Sequence, residues 1–223
     1  MKKLAYIFSI FCFCSGCDKN NTAVSDNSES ATLVSNGENK KIELMPLDYV
    51  KWVQNESNGI YKSKIIGEVK YILQYKPHDY LACMELKSDS VKKADLQKKE
   101  DDFKGMVYFD FKIHIPQGNA EFLKYGVSST SEYQQRVSYS SFGMQYDICM
   151  VQSKDTIPCK MYLFERSFDV TPEGTFLLGF DEKAIDTNKE ITFLFNDKLF
   201  RKGSIKFTFG PKTLLNIPKL KTV

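Results

Sequence analysis

The stretch Met106-Val107-Tyr108-Phe109-Asp110-Phe111-Lys112-Ile113-His114-Ile115 decides the fold. Val107, Phe109, Phe111, Ile113 and Ile115 fall on one side of an extended chain, and Tyr108, Asp110, Lys112 and His114 fall on the other. Apolar residues at period two, opposite a polar set, read as a half-buried antiparallel strand. Pro116-Gln117-Gly118 ends it.

Working outward toward the C-terminus, the same pattern recurs. Extended segments are expected over residues 142–152, 157–168, 175–180, 190–195 and 203–209, with short turns such as Thr171-Pro172-Glu173-Gly174 between them. Short connections between alternating strands imply an antiparallel meander. Phe176 and Phe180, Phe193 and Phe195, and Phe207 and Phe209 fall at strand spacing and join the core of the 106–115 strand. In the hairpin, aligning Ile148 and Met150 with Cys159 and Met161 pairs Met150 with Cys159 around a Ser153–Thr156 loop. Cys149 then points away from Cys159. A one-residue slip permits a Cys149–Cys159 bridge but sets Ile148 against Lys160.

Toward the N-terminus, residues 60–75 read as two strands around a turn at Gly67, with Val69, Tyr71, Leu73 and Tyr75 on one face. Before them, Pro46 and an Asp48 N-cap open a short helix with Tyr49, Trp52 and Val53 inward, closed at Asn58-Gly59. Between the strand groups, Asp79 caps a helix over 80–87, and Ser88-Asp89-Ser90 opens a charged surface helix over 91–103 with Ala94, Leu96 and Phe103 inward. Residues 119–125 read as a short turn or helix. Ser129 and Glu132 form a capping box for a helix to about residue 140, with Tyr133 and Val137 inward. The expected class is α+β: a twisted antiparallel sheet of about seven strands, with helices inserted after the first and second strand groups.

The N-terminus has a separate character. Lys2 and Lys3 precede an apolar run over residues 4–13, then Ser15-Gly16-Cys17. This order matches a secretion leader over residues 1–16, too short for a membrane span of ~20 apolar residues. Cys17 sits where a bacterial lipoprotein carries its lipid-modified cysteine, although Cys14 stands where Leu is usual. Residues 18–40 are rich in Asn, Ser, Asp and Thr with little to bury, and read as a disordered tether spanning ~25–30 Å. Residues 41–223 then form one domain. Cys12 and Cys14 leave with the leader, so beyond Cys17 only Cys83, Cys149 and Cys159 remain, an odd number.

The chain has 31 basic and 28 acidic residues for a formal charge of +3. Losing Lys2 and Lys3 brings it close to neutral, and the only arginines are Arg136, Arg166 and Arg201. That balance gives no reason to expect a nucleic-acid partner or a phosphate-reading site. No nucleophile elbow, zinc-protease helix, phosphate loop, EF-hand loop or paired C-x-x-C occurs, so no metal or other cofactor and no catalytic residue is assigned. A hydrolase would have to use His78 or His114 as its base. The acidic clusters Glu100-Asp101-Asp102 and Asp181-Glu182 are the remaining carboxylate candidates. Tyr75, Tyr80, Tyr108, Tyr133, Tyr139, Tyr146 and Tyr162 either pack helices on the sheet or line a patch for sugar or protein.

The leader with Cys17, the Lys-rich and Arg-poor composition, the segment from Asn58-Gly59-Ile60 through Ile66-Gly67 to Leu73-Gln74-Tyr75-Lys76-Pro77, and the ending Ile205-Lys206-Phe207-Thr208-Phe209 to Asn216-Ile217-Pro218-Lys219 together resemble uncharacterised lipoproteins of Bacteroidota. The resemblance implies an envelope location, with Cys17 carrying palmitate-type acyl chains, and implies no known activity. Asp89-Ser90-Val91 and Asp155-Thr156-Ile157 are similar to the O-glycosylation triplet of such proteins, which makes Ser90 and Thr156 candidate acceptors. The same triplets also suit a helix cap and a hairpin turn. Lys19-Asn20-Asn21 after Asp18 lacks the acid run that goes with surface display, which favours the periplasmic face of the outer membrane. The leading expectation is a lipid-anchored, non-catalytic interaction or assembly module with an envelope protein partner. The alternatives are a carrier or sensor of an apolar or sugar ligand, and an envelope hydrolase.

Overall fold

The computed structural model describes residues 41–118 and 120–223. The leader, Cys17 and the tether to residue 40 lie outside the described residues. The class is α+β, as expected. The described strands form one eight-stranded antiparallel sheet and a separate parallel pair, β1 (Glu43–Leu44) with β10 (Lys219–Leu220), which corrects the expectation of a single sheet of about seven strands. The short end strands escaped the sequence reading because two residues carry no periodicity.

The large sheet begins with β2 (Tyr61–Ile66) and β3 (Val69–Lys76), joined at Gly67 with φ 61°. It continues with β4 (Met106–His114), β5 (Ile148–Gln152), β6 (Asp155–Glu165), β7 (Glu173–Asp181), β8 (Ile191–Asp197) and β9 (Gly203–Phe209). Their order across the sheet is β2-β3-β4-β7-β6-β5-β8-β9. β6 is the corner. Its first residues pair with β5, its later residues pair with β7, and the register shifts between Cys159 and Met161. A bulge of this kind bends a strand, and here the sheet folds over so that β8 and β9 face β3 and β4.

The interior of that fold is phenylalanine. Phe111 lies 5.1 Å from Phe193 and 5.2 Å from Phe195, ring centre to ring centre, and Phe109 lies 5.6 Å from Phe209. Phe109, Phe111, Phe176, Phe180, Phe193, Phe195 and Phe209 are fully buried, as the period-two pattern requires. The edge strands β2 and β9 approach closely enough for Lys64 Nζ to donate to Lys206 O at 3.1 Å, without a backbone ladder among the described residues. Lys62 and Lys64 lie over the Phe209 and Phe207 rings. Lysines on both exposed edges discourage pairing with another chain.

Among the described residues, four α-helices pack against the sheet. Helix α1 (Pro46–Gln54) starts with Pro46 in its first turn and Met45 as N-cap, so Asp48 lies inside the helix and ion-pairs with Lys51 instead of capping. Asn58 Nδ2 closes its end on Trp52 O. Helix α2 (His78–Leu86) begins directly after Pro77, not at an Asp79 cap. Helix α3 (Lys93–Asp101) is shorter than expected. Ser88 to Ser90 form an exposed bend held by Ser88 Oγ, and Ala94 is exposed while Leu96 is buried. Tyr49, Val53, Tyr80, Cys83, Leu96, Ile217 and Leu220 make a second, smaller core between these helices and the C-terminus.

Helix α4 (Thr130–Ser138) has its expected cap: Ser129 Oγ accepts from Glu132 N. The Glu132 carboxylate reaches back one residue further than a capping box requires, to Ser128 N. Tyr133 and Val137 pack on the main core. The expected strand over residues 142–147 is instead a continuation of the helix through one wide turn (Tyr139–Gly143) and one tight turn (Met144–Asp147). Tyr139 Oη donates to Asp147 at 2.7 Å and ties the two turns together. Phe142 and Tyr146, assigned by alternation to a strand, are exposed. Phe122, on the connection before α4, plugs the end of the folded sheet edge-on to Phe164 and Phe176. A Cβ at Gly174 would sit 2.1 Å from the Phe122 ring, so only glycine leaves room for the plug.

Candidate functional site

The outward face of β3 and β4 carries the residues that alternate with the core set: Lys70, Ile72, Gln74 and Lys76 on one strand, Tyr108, Asp110, Lys112 and His114 on the other. Antiparallel register sets Gln74 opposite Asp110, Ile72 opposite Lys112 and Lys70 opposite His114. At the Met106 end this face is covered. Tyr108 is buried under Phe103 and His78, and its phenol is pushed up by that burial. Further along, the cover stops. The end of α1 and the first turn of α2 form one wall, β2 and Glu173 of β7 flank the rest, and a groove of about 460 Å³ lies between them.

Its floor is an ion pair. Lys76 Nζ and Asp110 Oδ2 are 2.6 Å apart, with side chains 11% and 17% exposed. Lys76 also lies 4.8 Å from the centre of the Tyr80 ring. Lys112 pairs with Glu173 at 2.9 Å. The amides are engaged: Gln74 Nε2 donates to Val53 O at 2.6 Å, and Gln54 Nε2 to Tyr80 Oη at 3.3 Å. At the open end the Tyr61 phenol is pushed up to about 12, by burial first and then by hydrogen bonding to Glu56. His114 stands between Lys70 and Glu173 in the register. Its Nδ1 is shielded from solvent and has no hydrogen-bond partner among the described residues. An unmet buried nitrogen of this kind costs about 1–3 kcal/mol.

The groove is therefore polar, walled by Tyr61 and Tyr80, and balanced in charge: Lys70, Lys76 and Lys112 face Glu56, Asp110 and Glu173. Among the described residues, its lining holds no Ser, Thr or Cys. Paired charges, amides and phenols can take hydroxyl and amide groups of a ligand while the tyrosine faces cover its apolar edges.

The other sequence candidates are dispersed. His78 Nε2 is hydrogen-bonded to Met106 O at 2.7 Å, away from the groove lining. The acids divide among separate contacts: Glu100 with the Asp79 carboxyl, Asp101 with Lys104, Asp102 with Lys99, Asp181 with Lys160, and Glu182 accepting from Gly105 N. Of the seven tyrosines singled out, only Tyr146 is largely exposed; Tyr133, Tyr139 and Tyr162 donate to Glu121, Asp147 and Ser140 O. Ser90 lies in the bend before α3 and Thr156 on β6, both exposed. Cys17 is outside the described residues.

Cys83, Cys149 and Cys159 are free thiols. Met150 pairs with Ile157 and Cys149 with Pro158, so the two hairpin cysteines do face opposite ways. Burial pushes the Cys159 thiol up to about 12 and raises those of Cys83 and Cys149. Among the described residues no three His, Cys, Asp or Glu side chains gather as a metal site, and no helix is long and apolar enough to cross a membrane. The groove went unread because Gln74, Lys76 and Asp110 become neighbours only through the β3–β4 register. The polar half of the 106–115 alternation was its one visible signal.

No protein-family profile matches the chain, and no curated protein matches it. Two solved structures are similar in part. One is a DUF4426 family protein of Pseudomonas aeruginosa PAO1, at 8% identity and TM-score 0.34, covering 68% of this chain and 96% of that one. The other is a protein of unknown function from Burkholderia pseudomallei K96243, at 8% identity and TM-score 0.34, covering 78% of this chain and 94% of that one.

Proposed function

We propose that this chain is a lipid-anchored envelope protein, held to the membrane through Cys17, that acts by binding and not by catalysis. The groove over β3 and β4 is its contact surface. The observation that carries the reading is the Lys76–Asp110 pair at 2.6 Å on the groove floor. A largely buried ion pair is a poor source of stability, yet here it underlies an open, tyrosine-walled groove where an apolar floor would pack as well. The leader and the resemblance to envelope lipoproteins support the anchor and the periplasmic face of the outer membrane. The balanced charge of the groove speaks against nucleic acid as its occupant, and the lack of Ser, Thr and Cys in the described lining speaks against a hydrolase that uses one of these as its nucleophile.

Of the two ligand alternatives, a sugar is favoured over an apolar molecule. The folded sheet has the curl of a carrier, but its interior is filled by Phe109, Phe111, Phe193, Phe195 and Phe209. What remains open is polar. A photocrosslinking side chain at Lys70, in cells, should capture a defined envelope component, whereas the same group at Thr192 on the outer face of β8 should not. Equal capture at both positions would count against the groove. Turnover of an envelope substrate by purified protein, lost in His114→Gln, would overturn the non-catalytic reading.

A further inference from the structure

A second cleft, of about 530 Å³, lies between α4 and the β8–β9 turn, and two of the chain's three arginines meet there. The turn is built around Asp197, which is buried. Its Oδ1 accepts from Leu199 N at 2.9 Å and Phe200 N at 3.0 Å, and its Oδ2 from Lys202 N at 3.1 Å and Tyr71 Oη at 2.7 Å. This network holds Arg201 at φ 56°, a left-handed conformation unfavourable for any side-chain-bearing residue. Such backbone persists only where the surroundings impose it. The result is an exposed guanidinium at the rim of the cleft with no hydrogen bond or ion pair among the described residues.

The other cations at the cleft are matched. Arg136 donates to Tyr125 O at 2.6 Å and to Glu132 Oε1 at 3.2 Å, Lys198 pairs with Asp147 at 2.7 Å, and Lys202 pairs with Glu68 at 3.0 Å. Arg201 is the one cation of the cleft lining without an acidic partner among the described residues; the buried Asp197 carboxylate of its turn is taken up by three backbone N–H groups and Tyr71. Beside Arg201, the Tyr125 and Phe200 rings lie 6.5 Å apart, centre to centre, tilted 55° to each other, with the Arg136 guanidinium over Phe200. We propose that this cleft binds a monoanionic carboxylate carried on a ring-shaped body, an acidic sugar being the chemical type. The Arg201 fork takes the carboxylate in two parallel hydrogen bonds, and the exposed Tyr125 ring covers one face of the sugar ring. One unmatched cation suits one negative charge, so a dianionic phosphate gains nothing over a carboxylate. The site is independent of the β3–β4 groove.

The test is isothermal titration of the full chain, purified in detergent, with sodium D-glucuronate, D-glucose and D-glucose 1-phosphate. Glucuronate should bind at about millimolar strength, with glucose roughly tenfold weaker or worse. Arg201→Gln should weaken glucuronate by roughly ten- to hundredfold, while Lys154→Gln, the same charge change in the β5–β6 turn, should have no effect. Arg201→Gly separates binding from folding. It relieves the left-handed strain and should raise Tm by about 2–4 °C while abolishing glucuronate binding. Absence of glucuronate binding, equal affinity for glucose, tighter binding of the phosphate, or full affinity in Arg201→Gln would each overturn the proposal.

Discussion

Replacing Asp110 by Ala strands the Lys76 ammonium in a site where it is 11% exposed. Removing one partner of a fully buried ion pair costs about 3–5 kcal/mol. Two features reduce that here. The groove admits water from one side, and the Tyr80 ring at 4.8 Å retains a cation–π contact worth about 0.5–2 kcal/mol. The expected cost is therefore about 2–3 kcal/mol, or a Tm lowered by about 5–10 °C for a domain of this size. Replacing both residues, Lys76→Met with Asp110→Leu, removes both charges and leaves an apolar floor, and should be neutral or stabilising by up to about 2 kcal/mol. The assay is urea unfolding followed by the fluorescence of Trp52, the only tryptophan, half-buried on α1. A changed midpoint at unchanged slope reports stability alone. The same double variant should lose groove crosslinking. If the double change is as destabilising as either single change, the pair itself supports the fold and is not kept for a ligand.

Three further outcomes are expected. Glu100 on α3 has its carboxyl pushed up to about 7, by burial first and then by the Asp79 carboxyl beside it. Its folded value lies above the unfolded one of about 4.3, so its ionisation opposes folding. Stability should fall as pH rises from about 4.5 to 7, by about 1 kcal/mol after allowance for its exposure. Glu100→Gln should remove that slope from a plot of urea midpoint against pH; an unchanged slope would contradict the assignment. Gly174→Ala should drive a methyl into the Phe122 ring and cost about 3 kcal/mol, and adding Phe122→Ala should recover none of it in urea unfolding, because losing the plug itself costs about 3–5 kcal/mol. Cys83, Cys149 and Cys159 have raised thiol pKa values and should react slowly with a disulfide reagent at neutral pH, and rapidly once urea unfolds the chain. Immediate labelling of Cys159 in the folded protein would refute its place in the core.

Much of the fold was legible because buried strands announce themselves by parity. The faces of β3, β4, β8 and β9 were readable residue by residue, and the Ser129 cap of α4 came from spacing alone. Parity also protected the hairpin. The expected pairing of Met150 with Cys159 was off by two residues, since the turn is Ser153-Lys154 and Met150 opposes Ile157. A shift of two leaves every side chain on its face. The turn itself was hidden because Ser153 adopts φ 56° where glycine or asparagine would have flagged it. Residues 142–147 misled for the opposite reason: Phe142, Met144 and Tyr146 alternate like a strand, but only Met144 is buried. Neither polar site was legible. The groove depends on cross-strand register, and the arginine cleft depends on the Asp197 turn, which places side chains from distant parts of the chain together.

The central claim, that a binding domain is held at the envelope by a lipid on Cys17, is tested most directly by changing Cys17 to Ala and fractionating cells of the native host. Two or more acyl chains make anchoring stable. The account predicts that the native protein is in the outer-membrane fraction and that Cys17→Ala moves it to the soluble periplasmic fraction at its normal folded stability. A Cys17→Ala protein that stays with the membrane would contradict the account.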